Sequence, residues 1–278
     1  DMVATLKAIR DTKGEAFYRG QLAATIAKAS AAAGGGLTRQ DLADHQADWV
    51  TPVVQAYRGV ELHEIPPNGQ GLAAQIALGI LQHLPVETLD SEAYFHQQIE
   101  AMKIAVQAAS EHFADIAGMK ISVEELLAPD SLARAAKRIG PRALPLPPMS
   151  LPVGHDTVYL TCADADGMMV SFIQSNFRAF GSGIVIPGTG IAMQNRGSGF
   201  SLDPEHPNCV APGKRPFHTI IPGFVTSQGA PALSFGVMGG HMQHQGHVQM
   251  VSRIFDYQQN PQAASDAPRW HVYPDCSV

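Results

Sequence analysis

The residues of greatest chemical interest sit at Asp156-Thr157, where a proline-rich stretch gives way to an apolar, β-branched run. A threonine hydroxyl is a weak nucleophile unless a base lies beside it. If the chain were cut before Thr157, that residue would carry its own base. Its free α-amine, with a pKa of about 7.7–8.0, is suited to take the hydroxyl proton near neutral pH. The complement to such a nucleophile is a set of donors for the oxyanion. Gly239-Gly240, at the expected start of a helix, offers backbone N–H groups with the favourable end of the helix dipole behind them. Together these residues would support acyl transfer, but threonines heading strands are common and spacing alone does not select this one.

Other constellations are less complete. His241, His244 and His247 stand three apart, as some zinc ligands do. No acidic residue falls in the first two turns of that helix and the HExxH arrangement is missing, so packing and hydrogen bonding are the expected roles. No metal and no cofactor is expected. Gly181-Ser182-Gly183 matches only part of a nucleophile elbow, and no helix follows it. Asp164-Ala165-Asp166-Gly167 lacks the later ligand positions of a calcium loop and reads as a turn. The turn Pro66-Pro67-Asn68-Gly69-Gln70-Gly71 is followed by no phosphate-loop lysine, which argues against a nucleotide site. Cys162, Cys209 and Cys276 are unpatterned and are expected to be buried free thiols.

These groups must be held by a fold that changes character midway. Residues 2–33 predict two helices broken near Gly14 and Gly20, and Thr38 is the expected N-cap of a short helix through residue 45. Strands are expected at 53–60 and 61–65, and helices at 72–84, 91–114, 123–127 and 131–139. Prolines at 141, 145, 147, 148 and 152 then exclude helix and central strand, leaving an extended linker. Beyond it the pattern predicts strands at 157–163, 168–174, 218–221 and 232–235, a glycine-rich stretch at 180–200, and a helix from 241 to 257. A chain of 278 residues, 45% hydrophobic and 16% charged, suits one large core or two modest domains. Its formal charge of −6 gives no footprint for nucleic acid or an anionic membrane, and no apolar run is long enough to span a bilayer. Asp1 opens on what reads as the middle of a helix, so a piece of a longer protein is expected, and a start of that kind carries no information on location. A cytoplasmic location is a separate expectation.

Several motifs, in order, resemble the γ-glutamyltranspeptidase family of N-terminal-nucleophile hydrolases. They are Gly14-Glu15-Ala16-Phe17-Tyr18-Arg19-Gly20, Gly35-Gly36-Leu37-Thr38, Pro66 to Gly71, Asp156-Thr157, Phe180-Gly181-Ser182-Gly183-Ile184, Pro212-Gly213-Lys214-Arg215-Pro216, Gly236-Val237-Met238-Gly239-Gly240 and Asp266-Ala267-Pro268-Arg269. The resemblance implies an α+β fold, an αββα four-layer sandwich, of which this chain is a part. It also implies a precursor that cuts itself at Asp156–Thr157. Residues 1–156 would then be the C-terminal part of the large subunit, ending in a mobile linker at 141–156. Residues 157–278 would be the N-terminal part of the small subunit, the two forming one sandwich domain. A heterotetramer of such subunits is one assembly the resemblance allows.

The same resemblance assigns residues to roles. Thr157 matches the nucleophile, Gly239 and Gly240 the oxyanion hole, and Ser175 the position of a second threonine that supports the nucleophile. The next family contact, an asparagine, aligns with Phe177, leaving Asn176 one position away. The residues that hold a glutamyl α-amine are replaced by Arg196 and Gly199, and the paired serines that hold its α-carboxylate by His218 and Thr219. An arginine repels an ammonium and grips a carboxylate. The expected function is therefore an amidohydrolase of the oxamate-hydrolase type, acting on a small amide of an acidic compound. A γ-glutamyltransferase, a glutaryl or cephalosporin acylase, and a non-catalytic homologue remain the alternatives.

Overall fold

A computed structural model describes residues 1–149 and 157–278. The fold is α+β. Its strands are β1 (Val53–Tyr57), β2 (Val60–Glu64), β3 (Val158–Ala163), β4 (Met169–Gln174), β5 (Val185–Ile186), β6 (Ile191–Ala192), β7 (Gly223–Ser227) and β8 (Ala230–Phe235). The chain divides into two compact units, one of residues 1–49 with 178–195 and one of residues 50–177 with 196–278.

In the first unit, helices α1 (Met2–Asp11), α2 (Glu15–Tyr18), α3 (Gln21–Ala32) and α4 (Arg39–Asp44) accompany the short β5–β6 pair. The breaks fall where the glycines predict them: Gly14 has a φ of 94°, and a Cβ on Gly20 would lie 2.8 Å from Ala16 Cα. Between those breaks lies a four-residue helix that periodicity does not resolve. Thr38 caps α4 in a full capping box with Asp41. Ala23, Ile26, Leu42 and Ile186 form a small core. Ser182 serves structure here, its Oγ donating to Met193 O at 2.9 Å.

The second unit is built on an antiparallel sheet ordered β1-β2-β7-β8. Helices α5 (Gly71–Leu81), α6 (Glu92–His112), α7 (Val123–Leu126) and α8 (Pro129–Ala136) follow β2, and α9 (Met242–Val251) and α10 (Pro261–Asp266) follow β8. Alternation along β8 sets the layers. Phe235 turns toward α9, its ring 4.5 Å from that of His247. Ser234 turns the other way, bonding Thr161 Oγ1 (2.7 Å) and Tyr159 OH (3.3 Å) on the separate β3–β4 sheet. The layers therefore run helix, sheet, sheet. On the outer face of β3–β4, Val158, Leu160, Val170 and Phe172 are exposed.

Three expectations need correction. The strand expected at 218–221 lies at Gly223–Ser227, and His218 makes only an isolated bridge to Gly69. Pro216 and Pro222 have no N–H to give a ladder, which breaks the β-branched run before it can pair. The helix expected to reach 257 becomes a π-helix at Ser252–Asp256. The cysteines are free, but Cys162 is exposed and Cys209 and Cys276 are half-buried, so none of the three is buried. Cys162 sits on the outer face of β3, where alternation turns it away from β8. Among the described residues, no helix is long and apolar enough to cross a membrane.

Candidate active site

Thr157 is half-buried and immediately precedes β3; Asp156 lies outside the described residues. Next along that strand, the Tyr159 ring packs so closely on Gly236 that a Cβ there would come within 2.4 Å of it. Tyr159 OH also meets Ser171 Oγ at 2.9 Å, and Ser171 Oγ donates to Phe235 O at 3.2 Å. The strand headed by Thr157 is thus fastened to the segment that leads into Gly239-Gly240. Those two glycines have φ of 123° and 60°, values that side chains disfavour. Their carbonyls accept from Met242 N (3.0 Å) and Gln243 N (3.1 Å), which starts α9. A left-handed turn at a helix N-terminus aims backbone N–H groups at an anion.

Three segments distant in sequence meet beside this turn. His218 N donates to Asn68 O (2.9 Å) and Gln70 N donates to His218 O (3.0 Å). Gln70 is fully buried; its Nε2 donates to Gly240 O at 2.8 Å and to Thr219 O. Its Oε1 faces Nδ1 of His244 (2.9 Å) and of His241 (3.2 Å). Thr219 Oγ1 accepts from Arg196 Nη1 at 3.2 Å, and Arg196 Nη2 donates to Ser175 O at 3.4 Å. The Arg196 guanidinium also lies 5.5 Å from the centre of the Phe177 ring. Ser175, Arg196, Thr219 and Gly240 are therefore joined in one run of contacts through Gln70, with His218 held by its backbone. Asn176 is half-buried, and it is its neighbour Phe177 that faces Arg196.

Burial lowers the Arg196 pKa to about 10, which leaves the guanidinium charged at neutral pH. Half-buried His218 is pushed down to about 3, by desolvation first and by the Arg196 charge second, against a hydrogen bond with the Ile220 backbone. It is a neutral imidazole at pH 7. His244 is held well below its ordinary value by complete burial, then by His241, His247 and His271. A neutral His244 facing an acceptor carries its proton on Nδ1. His247 Nδ1 meets Glu64 Oε1 at 2.6 Å with both side chains buried. His241 and His244 thus face the Gln70 amide and His247 the Glu64 carboxylate. Among the described residues, no group of three or more His, Cys, Asp or Glu side chains is placed to hold a metal. A buried guanidinium is a group suited to an anion.

Gln70 and His244 escape a reading of sequence alone. The 66–71 stretch looks like turn punctuation, and nothing local to Gln70 announces partners 149 and 174 residues away. The one available signal is an amide set between two glycines at the head of a helix whose only other polar side chain is Gln75.

Comparison with known proteins gives the family. Residues 1–276 match the sequence profile described as gamma-glutamyltranspeptidase. The chain is 38% identical over 272 residues to the glutathione hydrolase-like YwrD proenzyme of Bacillus subtilis, covering 97% of this chain and 51% of that protein. It is 35% identical over 274 residues to the oxamate amidohydrolase proenzyme of Klebsiella pneumoniae, again covering 97% and 51%. Among solved structures, a cephalosporin acylase from Bacillus halodurans superposes with a TM-score of 0.92 at 50% identity, over 97% of this chain and 49% of that one. The chain spans about half the length of the curated relatives it matches. On its motifs, its fold and these matches, the chain belongs to the γ-glutamyltranspeptidase family.

Proposed function

We propose that this protein is a self-processing amidohydrolase with an N-terminal threonine, acting on a small amide of an acidic compound, with oxamate as the first candidate. In the precursor, Thr157 Oγ1 attacks the Asp156 carbonyl, and water hydrolyses the resulting ester. Residues 1–156 then end the large subunit and 157–278 begin the small one. In turnover, the Thr157 α-amine takes the hydroxyl proton as Oγ1 attacks the amide carbon. Gly239 and Gly240 N–H groups receive the oxyanion, and the α-ammonium protonates the departing amine. Water then attacks the acyl ester and releases the acid. Gly239 and Gly240 act at both stages, and Ser175 supports the nucleophile.

The observation that carries the substrate class is Arg196, charged and buried, joined through Thr219 and Gln70 to Gly240. His218 is neutral and would contribute a hydrogen bond rather than charge; Asn176 would supply a further polar contact. The identity to a cephalosporin acylase favours a second reading, an acylase that takes a longer acidic acyl group.

The test follows amine or ammonia release from oxamate, glutaryl amides and γ-glutamyl amides. Turnover of oxamate or a glutaryl amide supports an acidic amide, and exclusive use of γ-glutamyl donors overturns it. Thr157→Ala is expected to abolish both self-cleavage and turnover. A Thr157→Ala protein that still turns over substrate refutes the nucleophile.

A further inference from the structure

Glycine pairs are the most permissive backbone a protein can use, yet an oxyanion hole acts through donors fixed before charge develops. Something must therefore hold Gly239-Gly240 still. Its turn is closed on one side by α9, through Gln243 N on Gly240 O. From the other side the same carbonyl oxygen receives Gln70 Nε2 at 2.8 Å.

The orientation of the Gln70 amide is dictated by its surroundings. Gly240 O and Thr219 O can only accept, so Nε2 faces them and Oε1 faces the two imidazoles. Both Nε2 hydrogens and both Oε1 lone pairs are then engaged, in a fully buried position. The backbone of Gln70 adds a fifth bond, to His218 O. One residue thus grips the glycine turn with its side chain and the His218-Thr219 segment with both side chain and backbone. Thr219 in turn meets Arg196.

We infer that Gln70 is a positioning residue, holding the Gly239-Gly240 oxyanion donors at a fixed distance from the Arg196–Thr219–His218 side of the substrate site. This rests on the reading of Gly239-Gly240 as the oxyanion hole. It adds a requirement: the acid group of the substrate and its reacting carbonyl are registered against each other through one buried amide. A substrate whose carboxylate lies a single bond from the amide carbon, as in oxamate, would feel a shift in that register most.

The experiment uses the full-length protein with Gln70→Met, close in shape with no donors, and Gln70→Glu, which keeps acceptors but turns oxygen toward the two carbonyls. The readouts are kcat and KM for the best amide, the rate of self-cleavage, and the folded fraction by thermal melting. Losing an oxyanion donor outright costs about 100–1,000-fold in kcat, and displacing one should cost about 10–100-fold. The expected result is a fall of about that size in kcat per folded molecule with KM within about threefold, and slower self-cleavage. Gln70→Asn, one methylene short, should restore neither. Folded variants with kcat within twofold of the unchanged protein overturn the proposal. So does a pair of variants that fail to fold, which would make Gln70 a purely structural residue. Thr157→Ala separates this from the underlying reading. If it abolishes turnover while the Gln70 variants do not, only the positioning role is lost.

Discussion

Helices α5 and α9 are both central to the second unit, and they reach that position by opposite chemistry. Every residue of α5 is buried, and apart from Gln75 its side chains are apolar or absent. Nine of the ten residues of α9 are buried too, but five of those are glutamine or histidine: Gln243, His244, Gln245, His247 and Gln249. An apolar helix needs only area removed from water. A polar one must find a partner for each group, because a buried orphan costs more than a bond returns. In α9, Gln243 Oε1 accepts from Ile221 N, His244 Nδ1 meets Gln70 and His247 Nδ1 meets Glu64, while Gln243 Nε2 and the Nε2 atoms of His244 and His247 are buried without a hydrogen-bond partner among the described residues. Helix α5 is thus a filler of volume, tolerant of local adjustment. Helix α9 is a connector whose contacts are specific, and the glycine turn stands at its N-terminus.

That contrast can be broken by substitution, followed by chemical denaturation of the full-length protein. His247→Leu should be the most damaging, because it leaves Glu64 buried and without its imidazole; a cost of about 3–5 kcal/mol is expected. Removing both partners, as Glu64→Met with His247→Leu, should recover much of that loss. If the double variant is no better than the single one, specific pairing is not what stabilises α9. Leu78→Ala in α5 should cost about 3 kcal/mol through the cavity it opens. Gln245→Leu should cost about 2 kcal/mol, since it leaves Val272 N and O without the amide that bonds both. A difference also appears with pH. His244 is held neutral in the fold but titrates near 6.5 when unfolded. The unfolded chain therefore binds the extra proton, and stability should fall as pH drops below about 6.5. His244→Gln should flatten that slope, whereas no substitution in α5 should change it. Gly79→Ala is the smallest test. The new Cβ would meet the flexible end of Leu132 at 2.6 Å, and improved helix propensity of about 1 kcal/mol offsets the adjustment. A net change under about 1 kcal/mol is expected.

The same contrast explains what a reader of the sequence can and cannot see. Helix α5 is legible because hydrophobicity and length declare it, and the 66–71 turn announces its start. The β3–β4 hairpin is legible from alternation and from Asp164-Ala165-Asp166-Gly167, where Asp164 Oδ1 accepts from Asp166 N and Met168 N as turn chemistry requires. Thr157 and Gly239-Gly240 draw notice for their chemistry, but it is the family resemblance that singles them out. The network around Gln70 does not, since its meaning lies in partners brought together only by the fold. The β7–β8 hairpin is displaced for a related reason. Its turn, Gln228-Gly229, has φ of 52° and 78°, a conformation usually flagged by asparagine or aspartate. Without that flag, the isoleucines at 220 and 221 look like the strand.

The grip of α9 on the C-terminal stretch has one more consequence. Gln245 bonds both N and O of Val272, and Gln249 bonds both N and O of Trp270. Two amides one helical turn apart therefore imitate the edge of a neighbouring strand. Such a grip reads main chain and is indifferent to the residue lying between the two it holds. Proline at 270 or 272 is the replacement this arrangement forbids, because each of those N–H groups is already committed.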